Sequence, residues 1–220
     1  MKISRATSGP YRNRVHYTSE ELEALTEDEL RAQNLLPATP AAINIDLYVE
    51  QRFVTPRYED LRPNLLGYTE FSTNGPIDIV LNQTLASDPS IVSKRRVRTT
   101  IAHEAGHALL HAILYLDAEQ TSFIRSEAEP AQIMCKDADL ARTRYDGKWW
   151  EYQANLAMGM LLLPKGLTLT ALEPFLTRTP LGGRNMDPHN LARAGRALSA
   201  IFDVNPQAAR LRIQRLFPTE

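Results

Sequence analysis

The chain has 220 residues, a formal net charge of −1, and ordinary fractions of hydrophobic (43%) and charged (23%) residues. This composition excludes a wholly disordered chain, a collagen-like chain and a disulfide-dense mini-protein, and it offers no basic field for nucleic acid. The single cysteine, Cys135, cannot form an intramolecular disulfide, which favours a reducing compartment. The start lacks the apolar stretch of a secretory signal, and the apolar runs at 105–116 and 156–163 are too short for a bilayer. We therefore expect a cytoplasmic protein with no membrane partner.

The first half of the chain predicts two helices and a pair of strands. Residues 18–34 are typical of an acidic amphipathic helix with Ser19 as its N-cap. Residues 43–53 predict a strand or loop entry followed by a helix, because apolar residues recur there at helical spacing. Residues 66–82 surround a turn-rich Ser-Thr-Asn-Gly-Pro segment, which predicts an antiparallel hairpin or two neighbouring strands. The strand 77–81 is either an edge that pairs with an extended peptide or an interior strand.

The second half is predominantly helical by the same criteria. Residues 99–114 predict a helix that begins at one of its two leading threonines, and the basic run 94–98 before it is typical of a solvated loop. That run could instead recognise an acidic substrate segment. Residues 117–147 are polar and mixed, which predicts a loop with little regular structure. Residues 149–163 predict a second strong helix that ends at a proline, and residues 189–216 predict helix, turn, helix.

The motif that carries chemistry is His-Glu-Ala-Gly-His at residues 103–107, inside the first of these helices. Four residues advance a helix by about 6 Å and slightly more than one turn, so His103 and His107 point the same way and can bind one Zn²⁺. Glu104 then lies beside the metal, where it can take a proton from a water and pass it to a leaving amine. His111 extends the row, but only the His103 and His107 pair has a glutamate after its first histidine. We expect His111 to be a structural histidine.

A catalytic zinc needs a third protein ligand and an open position. Glu151 and Asn155 lie four residues apart, and therefore on one face of the second predicted helix. Glu151 is the favoured third ligand, and Asn155 could orient a ligand histidine through its other ring nitrogen. The alternative is a helix whose polar residues face water. The same ligands would accept Mn²⁺. Other third-ligand candidates by residue type are Asp137, Asp139, Asp146 and His189.

Three further features bear on chemistry or packing. A tetrahedral oxyanion would need another donor, for which the candidates by type alone are Tyr145, Arg144 and His189. Cys135 lacks a C-x-x-C partner and is not expected to bind metal, although a switch in which it becomes a fourth ligand stays open. Trp149 and Trp150 are expected to anchor the second helix in the core rather than to form a substrate platform.

The arginine-rich tail leaves two interpretations open. Between residues 184 and 217, six arginines and two aspartates give a net charge of +4. A helix-turn-helix pattern with this charge would suit DNA binding, or docking of a repressor without DNA. Alternatively, Arg210, Arg212 and Arg215 form an ordinary solvated face on a packing element.

Several segments, taken in order, resemble the ImmA/IrrE-type metallopeptidases. The resemblance covers about residues 40–165 and rests on that family's active helix, its Glu-x-x-Ala-Asn segment and the Leu-Leu-x-Pro that ends the second helix. Met158-Gly159-Met160 departs from a pairing of Phe and Ala that is frequent there, which affects packing rather than ligands. The matching segments are residues 96–111, 151–155 and 161–164, with Leu66–Tyr68 and Leu81–Asn82 upstream.

The resemblance implies a zinc site of the thermolysin-like kind. His103, His107 and Glu151 would bind the metal, and Glu104 would be the general base. Members are typically bacterial or phage proteins that cut a helix-turn-helix repressor, so such a repressor is the implied substrate. The competing hypothesis is a DNA- or partner-binding transcription regulator with a structural or vestigial metal site.

The expected fold is α+β. A small, mostly antiparallel sheet would pack on the active helix and on the helix that carries Glu151, within a metallopeptidase domain at residues 1–180. Residues 181–220 would form a helix-turn-helix-like C-terminal subdomain.

Overall fold

The computed structural model describes residues 1–7, 11–72, 74–116, 131–136, 140, 145–178 and 183–218. Within these residues the fold is mixed α+β, as expected, with nine α-helices and three small sheets. No single helix in this part of the chain has the length and apolarity needed to cross a membrane. Two helices bent by 62° meet that requirement only when they are taken together.

The largest sheet has four strands, in the spatial order β3–β5–β4–β6. These strands are β3 (Arg57–Glu59), β4 (Leu65–Ser72), β5 (Gly75–Asn82) and β6 (Ala131–Lys136). Strand β4 is antiparallel to β5 and β6, and the short β3 is parallel to β5. The hairpin expected within residues 66–82 is therefore confirmed. Strand β5 pairs with β3 only at residues 80–82, so the interior interpretation holds there, while residues 77–79 have no described strand on that side and keep the edge interpretation open. Strand β6 lies at an edge of the described sheet.

Strand β6 falls in the stretch 117–147, for which little regular structure was expected, and that expectation is wrong here. Its residues pair with β4 across the range Leu65–Phe71. Ile133 and Cys135 are buried while their neighbours are exposed, which is the alternation of a strand with one face on a core. Six residues of alternation inside a polar stretch are too short a signal to stand out in a sequence. Most of the remaining stretch lies outside the described residues.

Two smaller hairpins were not anticipated from the sequence. One joins β1 (Lys2–Arg5) to β2 (Asn13–His16) near the start of the chain. The other joins β7 (Leu176–Arg178) to β8 (Arg184–Met186). Each strand has only three or four residues, so hydrophobic alternation could not reveal it.

Five helices of the described chain precede β6. They are α1 (Ser19–Ala32), α2 (Ile45–Arg52), α3 (Gln83–Ser87), α4 (Ile91–His111) and α5 (Ile113–Leu116). Three of them were predicted with other boundaries; α3 was not predicted, and α4 and α5 divide the single helix expected at 99–114. Helix α1 starts with a capping box, in which Thr18 Oγ1 accepts from Glu21 N and Glu21 Oε2 accepts from Thr18 N. Thr18, rather than Ser19, is therefore the N-cap.

Helix α4 begins earlier than expected, at Ile91 rather than at the two threonines. Ser90 is its N-cap and accepts a hydrogen bond from Ser93 N. The basic run 94–98 is consequently helical, and its expected place in a loop is wrong. A short polar residue is a clear sign of a helix start only when apolar residues at helical spacing follow it directly. Here the basic residues 94–98 lie between the N-cap Ser90 and the apolar part of α4.

Two cations of that basic run fix α4 to the C-terminal part of the chain. Arg95 donates to Asp203 Oδ1 at 2.9 Å and to Ser199 Oγ at 3.0 Å. Arg98 donates to the main-chain oxygens of Asp203 and Ile43, at 3.1 and 2.8 Å. These side chains have structural partners on three different segments.

The remaining helices are α6 (Trp149–Leu162), α7 (Lys165–Leu172), α8 (Leu191–Ile201) and α9 (Pro206–Leu216). Helices α8 and α9 match the two helices expected at residues 189–216, with Asn205 as the second N-cap. The larger of two hydrophobic core clusters in the described chain includes residues from both sides of residue 180, among them Ile101, Leu161 and Leu198. The division into two units at that residue stays a prediction.

The arginines of α9 face the protein more than solvent. Arg212 is 2% exposed and donates to both carboxylate oxygens of Glu23, at 2.6 and 2.7 Å, and to Leu163 O at 2.9 Å. Arg215 is partly buried and donates to Asn155 O at 3.2 Å. A shared solvated face is therefore wrong for these two residues. Arg210 alone of the three is exposed.

Candidate metal centre

Helices α4 and α6 lie unusually close, and one glycine makes this possible. A Cβ atom on Gly106 would lie 2.9 Å from Ala154 O and 3.2 Å from Ala157 Cβ. Real Cβ atoms do not approach a main-chain oxygen so closely, and only glycine fits without moving a helix. The small residue inside the His-Glu-Ala-Gly-His motif thus brings the Glu151 helix up to the two histidines.

Three predicted ligands meet at this helix contact. His103 Nε2 and His107 Nε2 lie 3.0 Å apart, and Glu151 Oε2 lies 3.2 Å from the first and 3.6 Å from the second. One potential ligand atom from each residue lies within 4.8 Å of the others, and all three side chains are buried. The three residues, of which the first and last lie 48 positions apart in the sequence, thereby form one group that could hold a metal ion.

The hydrogen bonds around this group test whether a cation fits. His103 Nδ1 is 3.1 Å from Asn155 Oδ1, an acceptor, so the ring proton belongs on Nδ1 and a lone pair on Nε2. Asn155 therefore has the orienting position expected for it. Within the described part of the chain, Glu151 Oε2 has no hydrogen-bond partner with acceptable geometry. Glu151 Oε2 and the two Nε2 atoms converge, and two imidazoles with one carboxylate are ligands that zinc prefers.

The groups of the metal-free centre titrate together. Burial opposes protonation of His103, but contacts with Cys135 and Glu151 outweigh it and raise the pKa of His103 well above its usual value. Burial opposes ionisation of Glu151, but contacts with His103 and His107 outweigh it and hold the pKa of this carboxyl well below its usual range. Burial, together with the neighbouring His107, lowers the pKa of His111 to about 3, so this ring is neutral.

Glu104 lies beside the ligand group and is supported by the sheet. Thr69 Oγ1 donates to Glu104 Oε2 at 2.6 Å, whereas Glu104 Oε1 has no partner among the described residues. Burial raises the pKa of Glu104 to about 8. Gly67 leaves room for this carboxylate, since a Cβ there would lie 3.3 Å from Oε1 and 2.8 Å from Val80 O.

Thr69 and Gly67 are site residues that sequence reasoning missed. Both belong to β4, and positions 67 and 69 face the same side of a strand. The strand was predicted, but nothing in its sequence told which face would cover α4. A threonine two residues from a glycine becomes informative only when that face is known.

Cys135, for which a switch to a fourth metal ligand was left open, is a neighbour of the ligands. It is fully buried on β6, in hydrogen-bonding contact with His103, and burial raises its thiol pKa to about 12 despite that histidine. The thiol is therefore protonated, and the three-residue group does not include it.

The other candidates among the described residues are not in the cluster. Asp146 and His189 are exposed. Tyr145 is 50% exposed, and its hydroxyl donates to Gly147 O at 3.3 Å, so it has a local partner. Trp149 is 1% exposed, which confirms its expected place in the core, whereas Trp150 is only partly buried. The candidates that lie outside the described residues are Asp137, Asp139 and Arg144.

Comparison with known proteins does not identify a family for this chain. No protein-family model matches the chain, and no curated protein matches it significantly. The chemistry of the buried group must therefore carry the functional argument.

Proposed function

We propose that the protein is a zinc-dependent endopeptidase. The observation that carries this proposal is the position of Glu104, a buried carboxylate beside His103 and His107. Thr69 fixes one of its oxygens, and the other has no partner in the described chain. A metal bound only for structure would need the three ligands but would have no use for this additional carboxylate.

The residues divide the proposed hydrolysis between them. His103, His107 and Glu151 would hold Zn²⁺, or Mn²⁺ with the same donor set. Bound zinc lowers the pKa of a water toward 7 and polarises a peptide carbonyl. Glu104 Oε1 would accept the proton from the attacking water and return it to the leaving amine. Asn155 would keep His103 oriented throughout.

The proposed substrate is a helix-turn-helix transcriptional repressor, cut at a defined site in the cytoplasm. Support comes from the resemblance of the two ligand-bearing helices to the ImmA/IrrE-type metallopeptidases. Strand β6 could pair with an extended peptide along its outer edge, and Cys135 places that strand beside His103.

One observation favours a second candidate, a regulator whose metal is structural. The side chains of His103, Glu104 and His107 are fully buried, as structural sites usually are. A peptide could reach them only if part of the covering chain moved aside. This candidate requires partner binding without cleavage, and Arg210 is then a surface cation free of the buried contacts of Arg212.

A cleavage experiment with a matched variant separates the two candidates. Zinc-loaded protein is mixed with a candidate helix-turn-helix repressor, and both are followed by intact-mass spectrometry. Glu104→Gln is the control, because it preserves size and leaves the three ligands in place.

The endopeptidase proposal expects one defined cut by the wild type, none by Glu104→Gln, and equal zinc content in both. An uncut repressor that co-purifies equally with both proteins would favour the structural-metal candidate. Cleavage that survives Glu104→Gln would contradict the role given to this carboxylate.

A further inference from the structure

The third histidine of the row belongs to a buried chain of hydrogen bonds that ends far away in sequence. His107 Nδ1 lies 3.0 Å from His111 Nδ1, and His111 Nε2 lies 3.2 Å from Gln153 Oε1. Gln153 Nε2 donates to Val15 O on β2 at 2.8 Å. The side chains of all three polar residues are more than nine-tenths buried.

The far end of this chain dictates the direction of every bond in it. A main-chain carbonyl only accepts, so Gln153 must turn its NH₂ toward Val15 and its oxygen toward His111. His111 must then donate from Nε2, and in the neutral ring its Nδ1 is an acceptor. A second proton on His111 would place an unpaired charge in a buried site.

The same logic reaches the candidate ligand. Because His111 Nδ1 accepts, His107 must donate from its own Nδ1. The lone pair of His107 is therefore on Nε2, the atom that lies beside His103 and Glu151. We propose that His111 and Gln153 are positioning residues that, with the Val15 carbonyl, hold His107 in the tautomer required of a metal ligand.

This inference revises the structural role expected for His111 and involves the β1–β2 hairpin in the metal centre. It rests on the metal-binding part of the proposed function and not on peptide cleavage. Asn155 orients His103 by one direct hydrogen bond. His107 is oriented by a chain of hydrogen bonds through the side chains of His111 and Gln153 to the Val15 carbonyl. Loss of such outer partners typically costs about 10–100-fold in metal affinity.

The test uses four variants of the full chain and two measurements. His111→Phe keeps a ring but removes the acceptor, and His111→Gln restores an acceptor oxygen. Gln153→Leu removes the partner of His111 and leaves both rings in place. His189→Phe is the matched control, because it removes an exposed histidine outside the cluster. Zinc affinity is measured by competition with a chromophoric chelator, and ring tautomers are read from two-bond ¹H–¹⁵N correlations of the metal-free protein.

We expect wild-type His107 to carry its proton on Nδ1, and zinc affinity to fall about 10–100-fold in His111→Phe. His111→Gln should recover most of this loss, Gln153→Leu should lose less, and His189→Phe should match the wild type. If His111→Phe fails to fold, Gln153→Leu carries the test. A proton on Nε2 of His107 in the wild type would overturn the proposal. So would wild-type zinc affinity in folded His111→Phe and Gln153→Leu.

Neither measurement involves a substrate, so the outcome is separable from that of the proposed function. A protein that binds zinc with the help of this chain of hydrogen bonds and cuts nothing would contradict the endopeptidase while supporting the positioning role. A wild-type protein that binds no zinc would contradict both.

Discussion

Two buried polar clusters hold this protein's helices together, and they differ in how completely their atoms are paired. In the first, Arg212 gives its guanidinium to both oxygens of Glu23 and to Leu163 O. In the second, the metal centre between α4 and α6, Glu104 Oε1 and Glu151 Oε2 have no hydrogen-bond partner among the described residues.

This difference shows how buried polar groups that stabilise the fold can be told apart from buried polar groups that bind a ligand. The Arg212 cluster joins α9 to α1 and to the end of α6, and its charges and hydrogen bonds are satisfied within the chain. Burying a polar atom without a partner costs about 1–3 kcal/mol, so Glu104 Oε1 and Glu151 Oε2 favour a site that binds a further group. Burial and charge are common to both clusters, and pairing distinguishes them.

The largest effect on the metal centre is expected when a candidate ligand is removed. Glu151→Gln preserves shape but replaces the anion, and zinc affinity should fall by more than the ~100-fold that an outer partner is worth. Metal content after dialysis and chelator competition measure the loss. The metal-free variant should be less stable than the metal-free wild type, because the contacts of His103 and His107 with residue 151 lose the carboxylate charge. Unchanged zinc affinity would remove Glu151 from the site.

When the Arg212 cluster is disrupted, we expect a loss of stability without a loss of zinc affinity. Arg212→Met leaves Glu23 without its partner and should lower the free energy of unfolding by about 3 kcal/mol. Zinc affinity of the folded protein should be unchanged. Arg210→Met is the control and should stay within about 0.5 kcal/mol of the wild type, because Arg210 is exposed. Denaturant unfolding measures both, and an equal response of the two variants would contradict the structural role of Arg212.

An intermediate effect should follow from widening the helix contact. Gly106→Ala forces a methyl group against Ala154 O, which should cost about 1–3 kcal/mol and weaken zinc binding by moving Glu151 away. Gly195→Ala is the matched control in α8, where a new Cβ has no atom within 4 Å. It should be neutral or stabilise by up to about 1 kcal/mol. A stabilised Gly106→Ala protein with normal zinc affinity would show that close packing is not required.

The smallest effect is expected from Thr69→Val, which removes the donor to Glu104 Oε2 and keeps the shape. Thermal unfolding should report a loss of about 1 kcal/mol. Zinc affinity should hold, because Thr69 contacts no ligand atom, while cleavage of the repressor should slow. Thr69→Ser retains the hydroxyl and should behave like the wild type. A tenfold weaker zinc affinity in Thr69→Val would instead place Thr69 in the support of the ligands.

The ligands were predictable because their spacing is local to helices. His103 and His107 share a face by helical periodicity alone, and Glu151 and Asn155 do likewise on α6. That these two faces meet follows from Gly106, whose importance only the packed helices reveal. These predictions needed only the residue types and the helical repeat of 3.6 residues per turn.

The partners of those ligands were not predictable in the same way. Thr69 and Cys135 reach the site from two strands, and which strand face covers α4 is a property of the sheet order. Arg212 looked like a surface cation because nothing near it in sequence pairs with it. Its partner Glu23 is 189 positions away. Charge counts along the tail could not anticipate that contact.

The bond from Gln153 to the carbonyl of Val15 spans 138 positions, and it has a consequence for how the metal centre can be made. Closing a loop of this length costs chain entropy, which grows slowly with the number of residues in the loop. A fragment limited to α4 and α6 would carry every ligand atom and still lack the frame that orients one of them. Metal affinity in this protein should therefore report on the docking of its first strands, and a mutation in the β1–β2 hairpin could weaken zinc binding without touching a ligand.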